Sequence, residues 1–505
     1  MKTFITLLLL LSFGSVRAAD LFIEAESFSN KGGWKVDQQF MDLMGSPYLL
    51  AHGMGVPVDD ASTEVTFLEK GEYYVYVRTY NWTSPWKKGE GPGKFSLSVG
   101  GKKMTSPLGA EGSAWMWQIA GKVSVKNLKT VIKLHDLTGF DGRCDAIYFT
   151  TEVGKMPPSD VKELEAFRRQ ALGLPDEAPV AGEYDLVVVG AGIAGMSAAV
   201  SAARLGCRVA LINDRPVVGG NNSSEIRVHL GGRIEEGTYK ELGGLQKEFG
   251  PEKGGNAQPP FPEFSYGVEF NDKNCEKVMM GEWTWETGMN FDQIKDFERI
   301  RDYGMLVVYS NWSYLKNRMK ENDQYKNRKL GWVAYVAGKR ESRRLMGDYI
   351  LKEDDITKNV SHEDASFATT WSIDLHWQDP KNSEHFPGNE FKAVTKHILI
   401  YPYAVPYRCL YSRNVENLFM AGRNISVTHV ALGTVRVMRT TGMMGEVVGM
   451  AASLCKKYDV TPRGVYRSHL EDLKTLMKEG VNKKGLPNNQ RYNEGGMLKD
   501  KPVVQ

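Results

Sequence analysis

The chain has 505 residues, long enough for two to four domains of ordinary size. Its 64 basic and 61 acidic side chains leave a net charge of +3, and no basic stripe stands out, so nothing marks a nucleic acid partner. The five cysteines, Cys144, Cys207, Cys275, Cys409 and Cys455, are scattered and show no C-x-x-C or Cys/His ligand spacing; they read as buried structural thiols rather than a zinc site.

Residues 1–19 read as a signal peptide. Lys2 supplies the positive start, Leu7 to Leu11 lie in a short apolar core, and Val16-Arg17-Ala18-Ala19 offers a small-residue cleavage site. The apolar core is too short to span a bilayer, and no membrane span is expected. No cysteine follows it closely, so no lipid anchor is expected. This start predicts an exported protein, periplasmic or secreted, in a bacterium.

Residues 20–152 predict an all-β sandwich. Tyr73-Tyr-Val-Tyr-Val-Arg78, Lys94-Phe-Ser-Leu-Ser-Val99 and Thr130-Val-Ile-Lys-Leu134 are β-rich runs bounded by Gly, Pro and Asp turns. Ile23-Glu24-Ala25-Glu26-Ser27, Gly71-Glu-Tyr-Tyr-Val-Tyr-Val-Arg78 and Gly142-Arg143-Cys144-Asp145-Ala146-Ile147 resemble the carbohydrate-binding modules of jelly-roll type. The resemblance implies a structural calcium held by Glu24, Glu26 and Asp145, which are hard oxygen ligands; otherwise these are solvated acids at strand edges. Trp82, Trp86, Trp115 and Trp117 are either sugar-stacking platforms or core. The sandwich either binds a glycan or only docks on the next domain.

Residues 153–182 predict a linker helix. Pro157-Pro158-Ser159-Asp160 starts it, Val161, Leu164 and Phe167 recur at helical spacing, and Gly173 and Pro175 stop it.

Residues 183–480 open with Leu186-Val-Val-Val189, an apolar run expected of a strand buried on both faces. Gly190, Gly192 and Gly195 follow at G-x-G-x-x-G spacing, then a small-residue helix, then a second strand, Cys207 to Ile212, ending in Asn213-Asp214. That order is the dinucleotide-binding arrangement: glycines for the turn and the close approach of a diphosphate, a helix N-terminus to hold it, and Asp214 for a ribose. Arg215, Gly219, Gly220 and Asn221 continue a loop that suits an extended dinucleotide. In the helix-rich middle, Arg340, Arg343 and Arg344 either clamp an anion or pair with Asp348, Glu353, Asp354 and Asp355. Ala421-Gly422-Arg423 ends a predicted strand. Val427-Thr428-His429 leads into a helix with Gly442, Gly445, Gly449, Ala451 and Ala452, suited to packing against another backbone. Residues 481–505 are expected to form a disordered tail.

From Asp185 to about Gly480 the chain resembles the FAD-dependent oxidoreductase family common in exported bacterial polysaccharide-use systems. The motifs are G-A-G-I-A-G at Gly190, D-R-P-V-V-G-G-N at Asp214, G-K-R-E-S-R-R-L at Gly338, P-Y-R-C-L-Y-S-R at Pro406 and L-F-M-A-G-R-N-I-S-V-T-H at Leu418. The resemblance implies an α/β FAD-binding domain of Rossmann type with a helical insertion, and a contact of Ala421-Gly422-Arg423 with the flavin end of FAD. Two departures stand out. Asn213 occupies a position where related flavoproteins commonly carry Glu. Between Glu248-Phe249-Gly250 and Pro259-Pro260-Phe261-Pro262 the chain lacks a long stretch present in relatives, with a strand and an acidic Thr-Gly-Asp-Gly turn. Part of the sheet that beds FAD is expected to go with it.

Flavin chemistry on a hydroxyl substrate needs a proton acceptor, for which His429 is the first candidate and His376 the second. Arg408 and Arg423 are candidates for anchoring substrate or for holding negative charge on reduced flavin. The expected function is FAD-dependent oxidation of a hydroxyl on a sugar or glycan-derived substrate; the electron acceptor has no signature in the sequence. The alternative is a non-enzymatic glycan-binding protein with a degenerate flavin domain. The Gly219-Gly220 loop and Ala421-Gly422-Arg423 argue against an NAD-dependent dehydrogenase.

Overall fold

The computed structural model describes residues 19–482 except 236, 250–260, 278–284, 322 and 327. Nearly all of the expected targeting segment and of the expected tail therefore lie outside the described residues, as does most of the junction where the family's internal stretch is expected to be lacking. The chain divides into two compact units, one holding residues up to 35 and 41–176, the other 36–40 and 177 onward.

The first unit is the expected β-sandwich. Its elements are β1 (Leu21–Glu24), β2 (Lys35–Asp37, which straddles the division), α1 (Met41–Met44), β3 (Tyr48–His52), β4 (Ala61–Thr66), β5 (Gly71–Thr79), β6 (Phe95–Val99), β7 (Lys102–Lys103), β8 (Met116–Val125), β9 (Lys129–Asp136), β10 (Phe140–Thr150) and α2 (Val161–Ala171). One sheet runs β3-β10-β5-β8, with β1 also pairing β10; the other runs β4-β9-β6-β7. All the pairings are antiparallel. Phe67, Tyr73, Val75, Leu97, Leu134 and Phe149 are buried between the sheets, the driving force for stacking them.

Trp82, Trp115 and Trp117 are buried, and Trp82 and Trp117 donate their indole N–H groups to the carbonyls of Phe140 (3.0 Å) and Pro158 (3.1 Å). They are core, because a large aromatic side chain contributes most when desolvated; of the four only Trp86 is half-exposed. The helix α2, expected as a linker, belongs to the sandwich unit. Asp160 caps it by accepting from the N–H groups of Lys162 (3.0 Å) and Glu163 (3.2 Å). Leu164 and Phe167 on its inner face pack on Phe22, Trp117 and Tyr148.

Glu24, Glu26 and Asp145, the expected calcium ligands, lie near one another, and the guanidinium of Arg168 from α2 stands 2.7 Å from Asp145 and 2.9 Å from Glu24. No group of three or more His, Cys, Asp or Glu among the described residues is arranged to hold a metal.

The second unit contains β11 (Leu186–Val189), α3 (Ile193–Arg204), β12 (Val209–Ile212), α4 (Phe297–Ser313), α5 (Asp323–Lys326), α6 (Glu353–Thr357), β13 (Ala365–Thr369), β14 (Ile373–Gln378), α7 (Pro380–His385), β15 (Ala393–Ile398), β16 (Tyr403–Pro406), α8 (His429–Val435), α9 (Met438–Tyr458), α10 (Pro462–Ser468) and α11 (Leu470–Glu479). β11 and β12 pair in parallel, while β13 with β16 and β14 with β15 are antiparallel. The core gathers on α9, where Met443, Met444, Val447, Val448, Ala451 and Leu454 are buried. No helix among the described residues is long and apolar enough to cross a membrane.

β11 is not buried on both faces. Val187 is 50% and Val189 80% exposed, and Leu211 and Ile212 of β12 also face solvent. Parallel strands are normally covered on both sides; among the described residues this pair has no further strand beside it.

Candidate functional site

The site is built on backbone contacts between glycine turns. At the end of β11, Gly190 has φ +99°, in the left-handed region that favours glycine. Gly192 is the N-cap of α3 and no side chain caps that helix, so its first turn offers N–H groups and the positive dipole end to an anion. A Cβ on Gly195 would stand 1.8 Å from the Gly190 carbonyl oxygen, so turn and helix fit only with glycine there.

The second loop closes on the first. The Gly219 N–H donates to the Ala191 carbonyl at 2.8 Å, and a Cβ on Gly220 would lie 3.0 Å from the Gly192 Cα. Asn213 braces both: its Oδ1 accepts from the Ala191 N–H (3.2 Å), and its Nδ2 donates to the carbonyls of Arg215 (2.7 Å) and Val217 (3.0 Å). The amide thus has a structural use that a glutamate, with no N–H to give, would not supply. Asp214 next to it is exposed at the end of β12, open to a ribose.

Distant parts of the chain meet at Lys339. Its carbonyl accepts from Asn221 Nδ2 (3.0 Å) and from the Arg423 guanidinium. Gly422 has φ +117°, and a Cβ there would stand 3.7 Å from the Ala194 Cβ in the first turn of α3. The C-terminal motif therefore lies against the helix that starts at the glycine turn. This backbone acceptor was not legible as a site residue, because a carbonyl carries no side-chain signature.

The charge around this junction is unbalanced. Arg215 pairs with the buried Glu225 at 3.1 Å. No carboxylate among the described residues pairs with Arg423, whose pKa is pushed down to about 10 by burial and then by the charge of Arg215. Burial, then the Arg423 charge, also lowers Lys339. Crowded, partly desolvated cations beside a helix N-terminus form an anion site. The residues present fit FAD: glycines and cations for the diphosphate, Asp214 for the ribose, Gly422 and Arg423 for the far end.

The two histidines differ. His429, the first residue of α8, is exposed, and its Nδ1 lies 3.1 Å from Glu341 Oε2. With Glu341 taking the Nδ1 proton, Nε2 keeps its lone pair. His376 has carboxylates on both sides, Glu286 Oε1 at 2.9 Å from Nδ1 and Asp374 Oδ1 at 2.9 Å from Nε2. Burial lowers its pKa, but those two acids outweigh the loss and raise it. An imidazolium held on both nitrogens has no lone pair for a proton, so the geometry makes His376 an ion-pair centre rather than a base. Arg340 pairs with Glu286 and Arg436 with Asp374 (2.6 Å) in the same network.

Arg408 is likewise committed. Its Nε and Nη2 each donate to Asp364 at 2.9 Å, with the guanidinium over Tyr349 and Tyr466. That bidentate pair fills its fork and makes it a frame residue. Arg344 pairs with Glu341 at 3.2 Å, and Asp348 pairs instead with Arg463 at 2.6 Å. Arg343 lines a groove of about 230 Å³ with Met346, Ile350 and Ser426.

No curated protein matches the chain. Among solved structures, a family 35 carbohydrate-binding module from Clostridium thermocellum is 18% identical, covers 26% of this chain and 97% of its own, and has a TM-score of 0.21. A C-terminal family 6 module of a laminarinase from Zobellia galactanivorans is 19% identical, with 26% and 99% coverage and a TM-score of 0.19. A Paenibacillus xanthan lyase is 15% identical, with 26% and 13% coverage and a TM-score of 0.20. The family described as FAD dependent oxidoreductase matches in two overlapping stretches, residues 185–257 and 253–477. These stretches span more than half of the chain and contain both glycine turns, Lys339 and Arg423, and the chain belongs to that family.

Proposed function

We propose that the protein uses FAD to oxidise a hydroxyl of a sugar or glycan-derived substrate, and that it does so after export. Residues 183–480 would form the redox domain, and the sandwich, which resembles sugar-binding modules in sequence, would hold a glycan. The observation that carries the reaction type is the pair Glu341–His429, an exposed imidazole with one nitrogen turned to a carboxylate and the other open. When bound, FAD supplies the acceptor for the hydride that leaves the carbinol carbon. His429 Nε2 takes the hydroxyl proton, and Glu341 holds the ring in the tautomer that can do so. Lys339 and the first turn of α3 would hold the diphosphate, and Arg423 the flavin end. The sugar as substrate class rests on the company of the two domains, an associational warrant.

The test is anaerobic mixing of the flavin-loaded protein with mono- and oligosaccharides. Bleaching of the flavin, with a keto-sugar as product, is expected. A loaded protein that no sugar reduces would remove the substrate class, and a protein that takes up no FAD would remove the reaction.

A second reading is a glycan-binding protein whose flavin domain has decayed. The exposed Val187, Val189 and Ile212, which share one face, favour it, because a sheet stripped on one side is a poor bed for a cofactor. Colourless protein that binds glycans would establish this reading.

A further inference from the structure

We infer that the cation of the sandwich's acidic site is Arg168 and not a metal ion, so that α2 is the last structural element of the sandwich and calcium has no place in it. The acids are where a bridging ion would need them. Glu24 ends β1 and Asp145 lies in β10, paired strands that an ion between the two carboxylates would cross-link. Both oxygens of Asp145 are already taken. Arg168 Nη2 lies 2.7 Å from each of them, Arg78 Nη1 donates to Oδ2 at 2.9 Å, and the Ser46 hydroxyl donates to Oδ1 at 3.2 Å. Glu24 Oε2 accepts from Nη2 of the same guanidinium at 3.1 Å, and Glu24 Oε1 lies 2.9 Å from its Nε.

Calcium takes six to eight oxygens at roughly 2.3–2.6 Å. An ion between Glu24 and Asp145 would stand where Nη2 stands and would face the second guanidinium of Arg78. Among the described residues the buried oxygen of this trio that lacks a hydrogen-bond partner is Glu26 Oε2; a single oxygen is no coordination shell. Arg168 cannot readily withdraw, because Leu164 and Phe167 on the same helix are packed on Phe22, Trp117 and Tyr148. Its stem places the charge over the Phe22 ring, 5.9 Å from the centroid. The arginine therefore performs the cross-link that an ion would: one planar cation joins β1, β10 and α2.

The test uses the full-length protein, stripped of metal by chelation and then given calcium in excess. Thermal unfolding, hydrogen exchange in β1 and β10, and elemental analysis of the washed protein are read together. Wild-type protein is expected to give coincident curves with and without calcium and to retain none. Arg168→Ala is expected to lower the unfolding midpoint of the sandwich by roughly 6–15 °C and to speed exchange in β1 and β10. Arg168→Lys, which keeps the charge but loses the fork, should fall between. Calcium-dependent protection of β1 and β10 in wild type, or calcium retained in proportion to protein, overturns the inference. So does an Arg168→Ala protein that unfolds with the wild type. If neither variant can be purified, the wild-type calcium comparison still decides.

Discussion

A Cβ placed on Gly445 of α9 would stand 2.1 Å from the carbonyl oxygen of Ala194 in α3. One turn along both helices, a Cβ on Gly449 would meet the Ala198 carbonyl at 2.6 Å. The helices thus touch backbone to backbone along matched i, i+4 ridges. Because α3 begins at the glycine turn, α9 sets where that turn stands. In an exposed helix, Gly→Ala stabilises by about 1 kcal/mol. Gly445→Ala is expected to do the reverse, destabilising by roughly 1–3 kcal/mol through forced separation of the helices, and to weaken FAD binding with it. Urea unfolding and flavin titration measure both; a stabilised Gly445→Ala would contradict the contact.

Arg423 gives a prediction in which stability and binding part company. Its charge is held near Arg215 with burial working against it, so the cofactor-free fold gains little from that charge. Arg423→Leu should leave the unfolding midpoint of FAD-free protein unchanged or raised. FAD affinity should fall at least about tenfold, or about 1.4 kcal/mol. An equal loss in both measurements would make Arg423 a frame residue like Arg408.

What the sequence revealed and what it hid follow from where each constraint lies. Gly190, Gly192, Gly195 and Gly220 were legible because close backbone approach leaves a residue-type signature at fixed spacing. The ends of α2 were legible for a similar reason, since Asp160 and Gly173 act locally. Its docking was not, because it depends on Phe22, far away in the chain. Leu186 to Val189 read as a strand covered on both sides, yet Val187 and Val189 face solvent; periodicity reports a strand's own pattern, not a missing neighbour. His376 and Arg408 were chosen by residue type. Their partners Glu286 and Asp364 are distant in sequence, and only the fold reveals that both candidates are already committed.

The His376 network predicts a pH dependence. Burial works against its charge, but Asp374 and Glu286 hold the proton, so the folded pKa lies above the ordinary 6.5. A proton held more tightly in the folded state stabilises the fold fully below 6.5, and that contribution is lost as pH rises through the folded value. Asp374 runs the other way. Burial alone would raise its pKa, yet His376 and Arg436 hold it below the ordinary 3.8, so its contribution is present above 3.8 and lost on further acidification. The β14–β15 hairpin should therefore be most stable between 3.8 and 6.5 and loosen above that range. Hydrogen exchange in the hairpin, measured against pH and corrected for intrinsic rates, should show this in wild type and not in His376→Gln. The same slope in both proteins would place the titrating group elsewhere.

Glu341 separates a catalytic His429 from one that merely lies on the surface. If Nε2 accepts the substrate proton, His429→Ala should cut turnover by roughly 10²–10⁴-fold while the flavin spectrum stays intact. Glu341→Gln keeps the size of the side chain but no longer offers a carboxylate to Nδ1, so the ring loses the partner that fixes its tautomer, and kcat should fall, by less than in His429→Ala. Because the Glu341–His429 pair is exposed, with side chains 38% and 54% accessible, it contributes little to the fold. Both variants should accordingly unfold with the wild type. A Glu341→Gln enzyme with unchanged kcat would cut Glu341 out of the mechanism, and unchanged turnover in His429→Ala would remove the histidine itself.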